Sequence, residues 1–418
     1  MMKTVNICIN GAGPVGATLA CVLAQAGLRV LIIERSPLDA AIGPHLDGRA
    51  YALSEGSRRV LAQSGVWSHL PNGAQPIKEI SVIDGRDVSR PRPNVARILT
   101  RIGTRSLIFG AQNLPDNEAG LQGFGWMVEA MDLRRALHDA LRHHAGPNLI
   151  IAAPDQARFT FDDDGAIIAL ASDAQYRAQL VIAAEGRQSP LRKQAGIPLT
   201  RLAYNQNGIV TIIQHENAHK GTALERFLPD GPFARLPLIG TDAAPHRSAI
   251  VWAAPAARAH YLHALPDDTF RREINARLDK HVGAATPIGR RWLYPLSAQY
   301  AQRYVSHRLA LIGDAAHGLH PIAGQGLNMG FRDIKILSEV LVNACEKGQD
   351  PGRDDVLKLY QRLTRPDNMA MLATCDIMER VFSARHPAMQ ILRRVGMRGF
   401  ETATPLRARF IRRTMGLL

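Results

Sequence analysis

Residues 5–34 read VNICINGAGPVGATLACVLAQAGLRVLIIE. The pattern predicts a short buried strand over residues 5–9, a glycine-rich turn, a helix over residues 17–26 that ends at Gly27, and a second apolar strand over residues 29–34. A strand, a glycine turn, a helix and a strand in this order are typical of the first unit of a doubly wound α/β fold.

The spacing of the glycines suits a bound pyrophosphate. Gly11 permits the tight turn, Gly13 lets a phosphate approach the backbone, and Gly16 lets the helix pack closely on the strand. The first N–H groups of the helix and its positive dipole end would face the phosphate. Glu34 can accept hydrogen bonds from a ribose with a free 2′-hydroxyl, as in FAD or NAD. The residues predicted to bind the dinucleotide are Gly11, Gly13, Pro14, Val15, Gly16, Glu34 and Arg35. The alternative interpretation is a plain glycine-rich turn.

A second glycine-rich stretch lies far along the chain. Residues 307–312 predict another apolar strand, and residues 313–333 read GDAAHGLHPIAGQGLNMGFRD. An apolar-periodic helix is predicted after Gly326, running through Ile334 and Leu341. Asp314 can accept hydrogen bonds from the hydroxyls of a ribityl chain. A helix N-terminus here would stabilise negative charge on a flavin ring. The residues predicted to hold the flavin are Asp314, Pro321, Gly324, Gly326, Leu327 and Asn328, the last two through their backbone. The two stretches together favour FAD, against a structural aspartate and a turn that closes a parallel sheet.

Residues 320–333 resemble the signature of the ubiquinone-biosynthesis aromatic hydroxylases. These belong to the FAD-dependent class A monooxygenases similar to para-hydroxybenzoate hydroxylase. Residues 49–54, 65–67, 204–238 and 360–376 resemble other parts of that family, so the resemblance covers most of the chain.

The resemblance implies an α/β fold: a Rossmann-like FAD/NAD(P)-binding domain, an inserted antiparallel-sheet substrate domain, and C-terminal helices. We predict the FAD domain from residues 1–75, 106–190 and 290–335. The substrate domain would comprise residues 76–105 and 191–289. Residues 336–418 would form a helical region with a basic amphipathic tail.

The resemblance also implies an activity. It is hydroxylation of the aromatic ring of a polyprenyl-phenol in ubiquinone biosynthesis, with O₂, through a C4a-hydroperoxyflavin and with NADH or NADPH as reductant. Two alternatives stay open: a class A hydroxylase of a small soluble aromatic or secondary metabolite, and a flavin-binding scaffold subunit of a quinone-biosynthesis complex.

Three further residues are placed at the site. Arg49 is a predicted contact for phosphate or flavin. Glu185 stands where the family usually has aspartate, in a motif near the flavin and the route of the nicotinamide. His317 is a weak candidate for a catalytic side chain, and the alternative is a histidine that holds the turn at Gly313 and Asp314.

Charge and composition limit the partners. The formal net charge is +14 among 418 residues, but aromatic residues are only 6% and are not interleaved with the arginines, which disfavours nucleic acid. An anionic membrane surface and an anionic cofactor remain, together with other proteins of ubiquinone biosynthesis. The four cysteines have no zinc spacing, so no metal is predicted. With no span of about 18–20 apolar residues and no signal peptide, we expect a cytoplasmic protein, peripheral on the inner face of the membrane.

Two basic segments have two interpretations each. Residues 86–105 carry six arginines, which fits a solvated loop or a strip that docks on a membrane or a partner. The tail alternates arginine with apolar residues, which fits a helix on an anionic bilayer or a helix packed on its own protein.

Overall fold

The computed structural model describes residues 2–39, 48–85, 106–110, 113, 121–228, 230–278, 280–319, 324–383 and 387–417. The strands are β1 (Lys3–Asn10), β2 (Val30–Ile33), β3 (Ala50–Ser54), β4 (Gln75–Ile77), β5 (Glu79–Asp84), β6 (Ser106–Phe109), β7 (Gly125–Glu129), β8 (Leu149–Ala152), β9 (Ala157–Asp162), β10 (Gly165–Leu170), β11 (Gln175–Ala183), β12 (Leu199–His215), β13 (Thr222–Leu228), β14 (Gly231–Leu238), β15 (Arg247–Pro255), β16 (Ala285–Ala301), β17 (Val305–Ser306), β18 (Leu309–Leu311) and β19 (His317–Gly318). The α-helices are α1 (Pro14–Gln25), α2 (Glu55–Gln63), α3 (Ala130–His144), α4 (Pro190–Gln194), α5 (Ala256–Ala264), α6 (Asp267–Asn275), α7 (Gln325–Glu346), α8 (Asp354–Ser383), α9 (Pro387–Thr402) and α10 (Thr404–Thr414).

The first sheet has the strand order β17-β18-β11-β1-β2-β8, in which β18, β11, β1, β2 and β8 are parallel and β17 is antiparallel to β18. Strand β10 pairs with β11, and β9 pairs with β10. Strand β1 lies between β2 and β11 and is parallel to both. All four residues of β2, Val-Leu-Ile-Ile, are buried, as expected for a parallel strand covered on both faces. Because β1, β11 and β18 run the same way, the glycine loop after β1 and the loop after β18 meet at one edge of the sheet.

The second sheet is mainly antiparallel, in the order β19-β16-β12-β15-β14-β13-β5-β6. Helices α5 and α6 cover one of its faces, around Ile209, Phe233 and Trp252. The opposite face carries Ala223, Ala249 and other short or aliphatic side chains. A Rossmann-like sheet joined to an antiparallel sheet and followed by long helices confirms the predicted fold class.

A small third sheet, β3-β7-β4, connects the two larger ones. Met127 of β7 and Ala52 of β3 lie in the same apolar cluster as Ala223 and Ala249 of the antiparallel sheet. The third sheet therefore packs on this face of the antiparallel sheet, where Ala223 and Ala249 are buried.

The described part of the tail packs against the rest of the chain. Arg393 of α9 is buried beside Asp84, 3.5 Å away, and donates to the carbonyl oxygens of Val381 and Phe382. The backbone oxygen of Met415 accepts a hydrogen bond of 2.8 Å from the N–H of Gly56. These contacts favour the packed helix over a tail that lies on a bilayer.

Several predictions lie beyond what this fold tests. The division into domains stays a prediction, and the antiparallel sheet takes strands from residues 106–109 and 285–301. Pro321 and all six arginines of residues 86–105 lie outside the described residues. No described helix is long and apolar enough to cross a membrane.

Candidate cofactor site

The turn after β1 has no room for side chains at two of its glycines. Gly11 has a φ of +107°, and a Cβ on it would lie 2.6 Å from the carbonyl oxygen of Ala184. A Cβ on Gly16 would lie 2.0 Å from the carbonyl oxygen of Gly11. Both positions therefore require glycine, for the tight turn and the close helix packing that the sequence predicted.

Gly13 differs from these two, because a Cβ there would meet nothing within 4 Å. It is the N-cap of α1, and no side chain accepts a hydrogen bond from the first turn of that helix. By contrast, the Ser54 side chain caps α2 by accepting from the N–H of Ser57. Among the residues that the structure describes, the first turn of α1 therefore has no side-chain cap and lies beside an empty Cβ position, which is what a phosphate needs.

Glu34 lies against the same turn. One carboxylate oxygen accepts from the N–H of Ala12 at 2.9 Å, and the other accepts from the N–H of Ser36 at 3.2 Å. Each carboxylate oxygen can accept a second hydrogen bond, so the group keeps capacity for a ribose hydroxyl. Arg35, the next residue, is exposed.

Val15 joins the two glycine stretches. A Cβ on Gly330 would lie 2.6 Å from a Val15 methyl group, and a Cβ on Gly313 would lie 3.1 Å from it. The side chain of Val15 therefore occupies space that two glycines of the second stretch leave free. Residues far apart in the sequence are thereby held as one site.

The N-terminus of α7 repeats the features of α1. Its N-cap is Gly324, with a φ of +61°, and no side chain caps the first turn. A Cβ on Gly326 would meet nothing within 4 Å, and Leu327 packs on the core of the parallel sheet. A second uncapped helix N-terminus therefore opens at the same site.

Asn328 uses its side chain to fix this N-terminus. Its oxygen accepts from the N–H of Ser54 at 2.9 Å and from the hydroxyl of Ser57 at 2.7 Å, and its nitrogen donates to the carbonyl oxygen of Ala52. The buried amide is thus fully engaged within the protein. Contact between a ligand and the Asn328 backbone stays a prediction.

His317 and Asp333 form a buried pair behind the loop after β18. The Nε2 atom of His317 lies 2.6 Å from the Asp333 carboxylate, which also accepts from the N–H of Gly313 and from the side chain of Asn368. Burial alone would lower the pKa of His317, but the charge and the hydrogen bond of Asp333, together with the charge of Asp314, outweigh burial and the pKa is raised. These contacts favour a histidine that holds the Gly313 turn over a catalytic one.

Asp314 is half exposed, and its carboxylate lies 3.4 Å from the guanidinium of Arg187. Arg187 is held in turn by the Ser297 hydroxyl at 2.8 Å and by the carbonyl oxygen of Leu319 at 3.1 Å. Arg187 was not among the residues predicted from the sequence to lie at the site. The feature that could have identified Arg187 is its position just after β11, because β11 pairs with β18 and ends at the same edge of the sheet.

Glu185 connects the end of β1 to the loop after β11. Its carboxylate accepts from the side chain of Asn10 at 2.7 Å and contacts the hydroxyl of Ser189. Burial raises the pKa of Glu185 despite these two donors. The longer side chain, compared with aspartate, is therefore used to reach β1.

Arg49 lies on the side of the site that faces the antiparallel sheet. Its guanidinium stands 5.4 Å from the ring of Tyr294 and 5.8 Å from that of Tyr51. A Cβ on Gly324 would touch the Ala52 side chain, which belongs to the apolar cluster on the sheet face. The second glycine stretch and the apolar face are thus neighbours.

The residues present fit FAD. Two helix N-termini without side-chain caps open beside glycines whose Cβ positions are empty, and carboxylates stand at both loops, Glu34 and Asp314. Among the residues that the structure describes, no three His, Cys, Asp or Glu side chains gather as they would around a metal ion.

Comparisons with known proteins identify the family of the chain. Residues 4–374 match the model of the FAD binding domain family. The chain is 39% identical over 417 residues to a ubiquinone hydroxylase, UbiL, of Rhodospirillum rubrum, covering 100% of this chain and 90% of that protein. It is 32% identical to the 3-demethoxyubiquinol 3-hydroxylase of Escherichia coli, covering 99% of this chain and 98% of that protein.

A solved structure supports the fold. The chain matches PqsL of Pseudomonas aeruginosa, a probable FAD-dependent monooxygenase, with a TM-score of 0.75 at 20% identity, covering 94% of this chain and 100% of that one. The resemblance drawn from the sequence and the prediction of FAD are both confirmed. The chain belongs to the FAD binding domain family.

Proposed function

We propose that this protein is an FAD-dependent monooxygenase that hydroxylates the aromatic ring of a polyprenyl-phenol in ubiquinone biosynthesis. The observation that carries the proposal is the meeting of two uncapped helix N-termini, at Gly13 and Gly324, beside an apolar face of the antiparallel sheet. The similarity to ubiquinone hydroxylases along the whole chain supports the substrate class.

FAD supplies the activation of O₂ and the transfer of one oxygen atom to the ring. The chain would hold it through the backbone at Gly11–Gly16, through Glu34 and Asp314, and through the first turn of α7. The substrate would lie where the second glycine stretch borders the apolar cluster of the antiparallel sheet, beside Ala52, and no paired acid and base are needed. Such a surface excludes water, which protects an oxygen-transfer reaction from side reactions.

Asp314→Ala is expected to weaken FAD binding by about 10- to 100-fold, because hydrogen bonds to a charged group contribute about 1.5–3 kcal/mol each. The flavin-to-protein absorbance ratio after purification measures the loss, and titration with added FAD measures the affinity. Asp355→Ala is the matched control, because Asp355 is exposed and pairs only with Arg353 in a surface ion pair. A full flavin complement in the Asp314 variant would remove this carboxylate from the site.

Anaerobic flavin reduction by NADH and by NADPH tests the activity. We expect bleaching to be faster with a short-chain 2-polyprenylphenol present, and a product with one added oxygen atom when air is admitted. A small soluble phenol, 4-hydroxybenzoate, is the matched comparison. Stimulation by the small phenol alone would favour the soluble-aromatic alternative, and no bleaching by either nucleotide would favour the scaffold.

Contact with the membrane and with other ubiquinone-biosynthesis proteins is part of the proposal. A polyprenyl substrate resides in the bilayer, and the net charge of +14 favours the anionic inner face. Because α9 and α10 pack on the body of the protein, we assign this attraction to the overall charge. Deleting the tail would remove the buried contacts of Arg393 and Met415, so it would not test membrane contact cleanly.

A further inference from the structure

Helix α8 carries apolar residues on its solvent side as well as its buried side. Six exposed residues follow one another at intervals of 4, 3, 4, 3 and 4 positions, which we call the outer stripe: Leu359, Leu363, Pro366, Ala370, Ala373 and Ile377. This spacing averages the 3.6 residues of a helical turn, so the residues lie along one line of the helix. Leu363 and Ile377 are 53% and 59% exposed, although the opposite face already packs on the protein.

The side chains of the outer stripe vary in size along the helix. Leucine and isoleucine stand at its ends, and alanine and proline stand at its middle. Two helices that cross at small residues approach closely there and diverge toward their ends, where longer side chains span the gap. The spacing is also symmetric about position 368, so a helix turned end to end presents the same stripe.

Charges beside the stripe disfavour a lipid surface. Between residues 353 and 380, the charged residues that are not buried comprise five bases and four acids: Arg353, Lys358, Arg362, Arg365 and Arg380, with Asp354, Asp355, Asp367 and Asp376. This local balance is close to neutral, in contrast to the net charge of +14 for the whole chain. An anionic bilayer would gain little attraction from this face.

We propose that the outer stripe pairs with the outer stripe of a second copy of this chain, antiparallel and about a two-fold axis near position 368. Leu359 of one copy then meets Ile377 of the other, and Ala370 meets Pro366. In this arrangement Arg380 lies near Asp355 of the other copy. A parallel pairing would place Arg362 beside Arg362 of the other copy and Arg380 beside Arg380 of the other copy, so like charges would meet.

The resulting dimer is expected to be concentration-dependent. The stripe spans 18 positions, about 27 Å of helix, which provides a small interface by the standard of stable dimers. Sedimentation velocity of the FAD-loaded protein should therefore show a monomer at low concentration and a dimer at high concentration. Ala370→Arg should abolish the dimer, because it places a charge at the closest approach. Tyr261→Arg, at a site 55% exposed on α5, is the matched control and should leave the dimer intact.

Disulfide formation tests the antiparallel orientation. Leu363→Cys and Ala373→Cys, which would meet nearer the two-fold axis, are made separately, and we expect a covalent dimer under mild oxidation only when the two variants are mixed. The unsubstituted chain controls for Cys345, which is half-buried. Flavin content and melting temperature identify any variant that fails to fold.

Other results would overturn the proposal. A monomer at every concentration would do so, as would a dimer that survives Ala370→Arg or a cross-link in either cysteine variant alone. Sedimentation of the monomer with phosphatidylglycerol vesicles, abolished by Ala370→Arg, would assign the stripe to the membrane instead.

Discussion

A Gly13→Ala variant folds normally and purifies without FAD: this is the result we expect from the glycine turn. The backbone of Gly13, with φ of −66° and ψ of 179°, suits alanine, and the added Cβ would meet no protein atom within 4 Å. Alanine in place of glycine at an N-cap changes stability by about 1 kcal/mol at most. The methyl group instead enters the space where the pyrophosphate would lie, and loss of two phosphate contacts would weaken FAD binding at least about 100-fold.

Variants at two other glycines distinguish a loss of FAD binding from a loss of folding. Gly16→Ala would force a Cβ to 2.0 Å from a backbone oxygen, so it should lower both flavin content and melting temperature. Gly399→Ala, in α9 with open space around its Cβ, should change neither. Normal flavin content in the Gly13 variant would place the pyrophosphate elsewhere.

Asp333→Ala is expected to destabilise the fold by about 3–5 kcal/mol, the usual cost of removing one partner from a buried ion pair. Asp333 is fully buried, and its loss would leave His317, the N–H of Gly313 and the side chain of Asn368 without their acceptor. Urea unfolding measures the change. Asp355→Ala, which removes an exposed pair, is expected to cost less than about 1 kcal/mol. Equal stability of the two variants would show that the buried network contributes little.

The pH dependence of stability gives a second measurement of this pair. Because the pKa of His317 is raised above its ordinary value of 6.5, the folded protein holds a proton that the unfolded chain releases. The stabilisation from the pair is therefore complete below about pH 6.5 and is lost as the pH rises through the raised pKa. Asp333→Ala should remove this loss of stability at higher pH. A catalytic role for His317, without the buried pair, would not predict any such loss of stability.

Much of the fold could be predicted from local patterns. The first and second strands lie where the apolar periodicity placed them, and the helix between them begins at Pro14, three residues before the predicted start at residue 17. The strand before Gly313 and the helix after Gly324 also follow from residues within one segment. Glycine spacing predicts a cofactor because the steric requirement acts between residues that are close in the sequence.

The contacts of the site were harder to predict because they join distant segments. The pairing of Asp314 with Arg187 depends on β11 lying next to β18, and no local pattern specifies that neighbour. The side chain of Asn328 was unassigned, since its partners at Ser54 and Ser57 precede it by more than 270 positions. The tail illustrates the same limit, because its alternation of arginine and apolar residues fits either environment until the Asp84 partner of Arg393 is known.

The packing of Val15 between Gly313 and Gly330 has a consequence for how the protein is made. The ribosome delivers the first glycine loop early, but about 300 further positions must emerge before the second loop exists. A chain that stops before α7 can complete the turn at Gly11–Gly16 and still lacks half of the cofactor site. Such a truncated chain should therefore purify without the yellow colour of bound flavin.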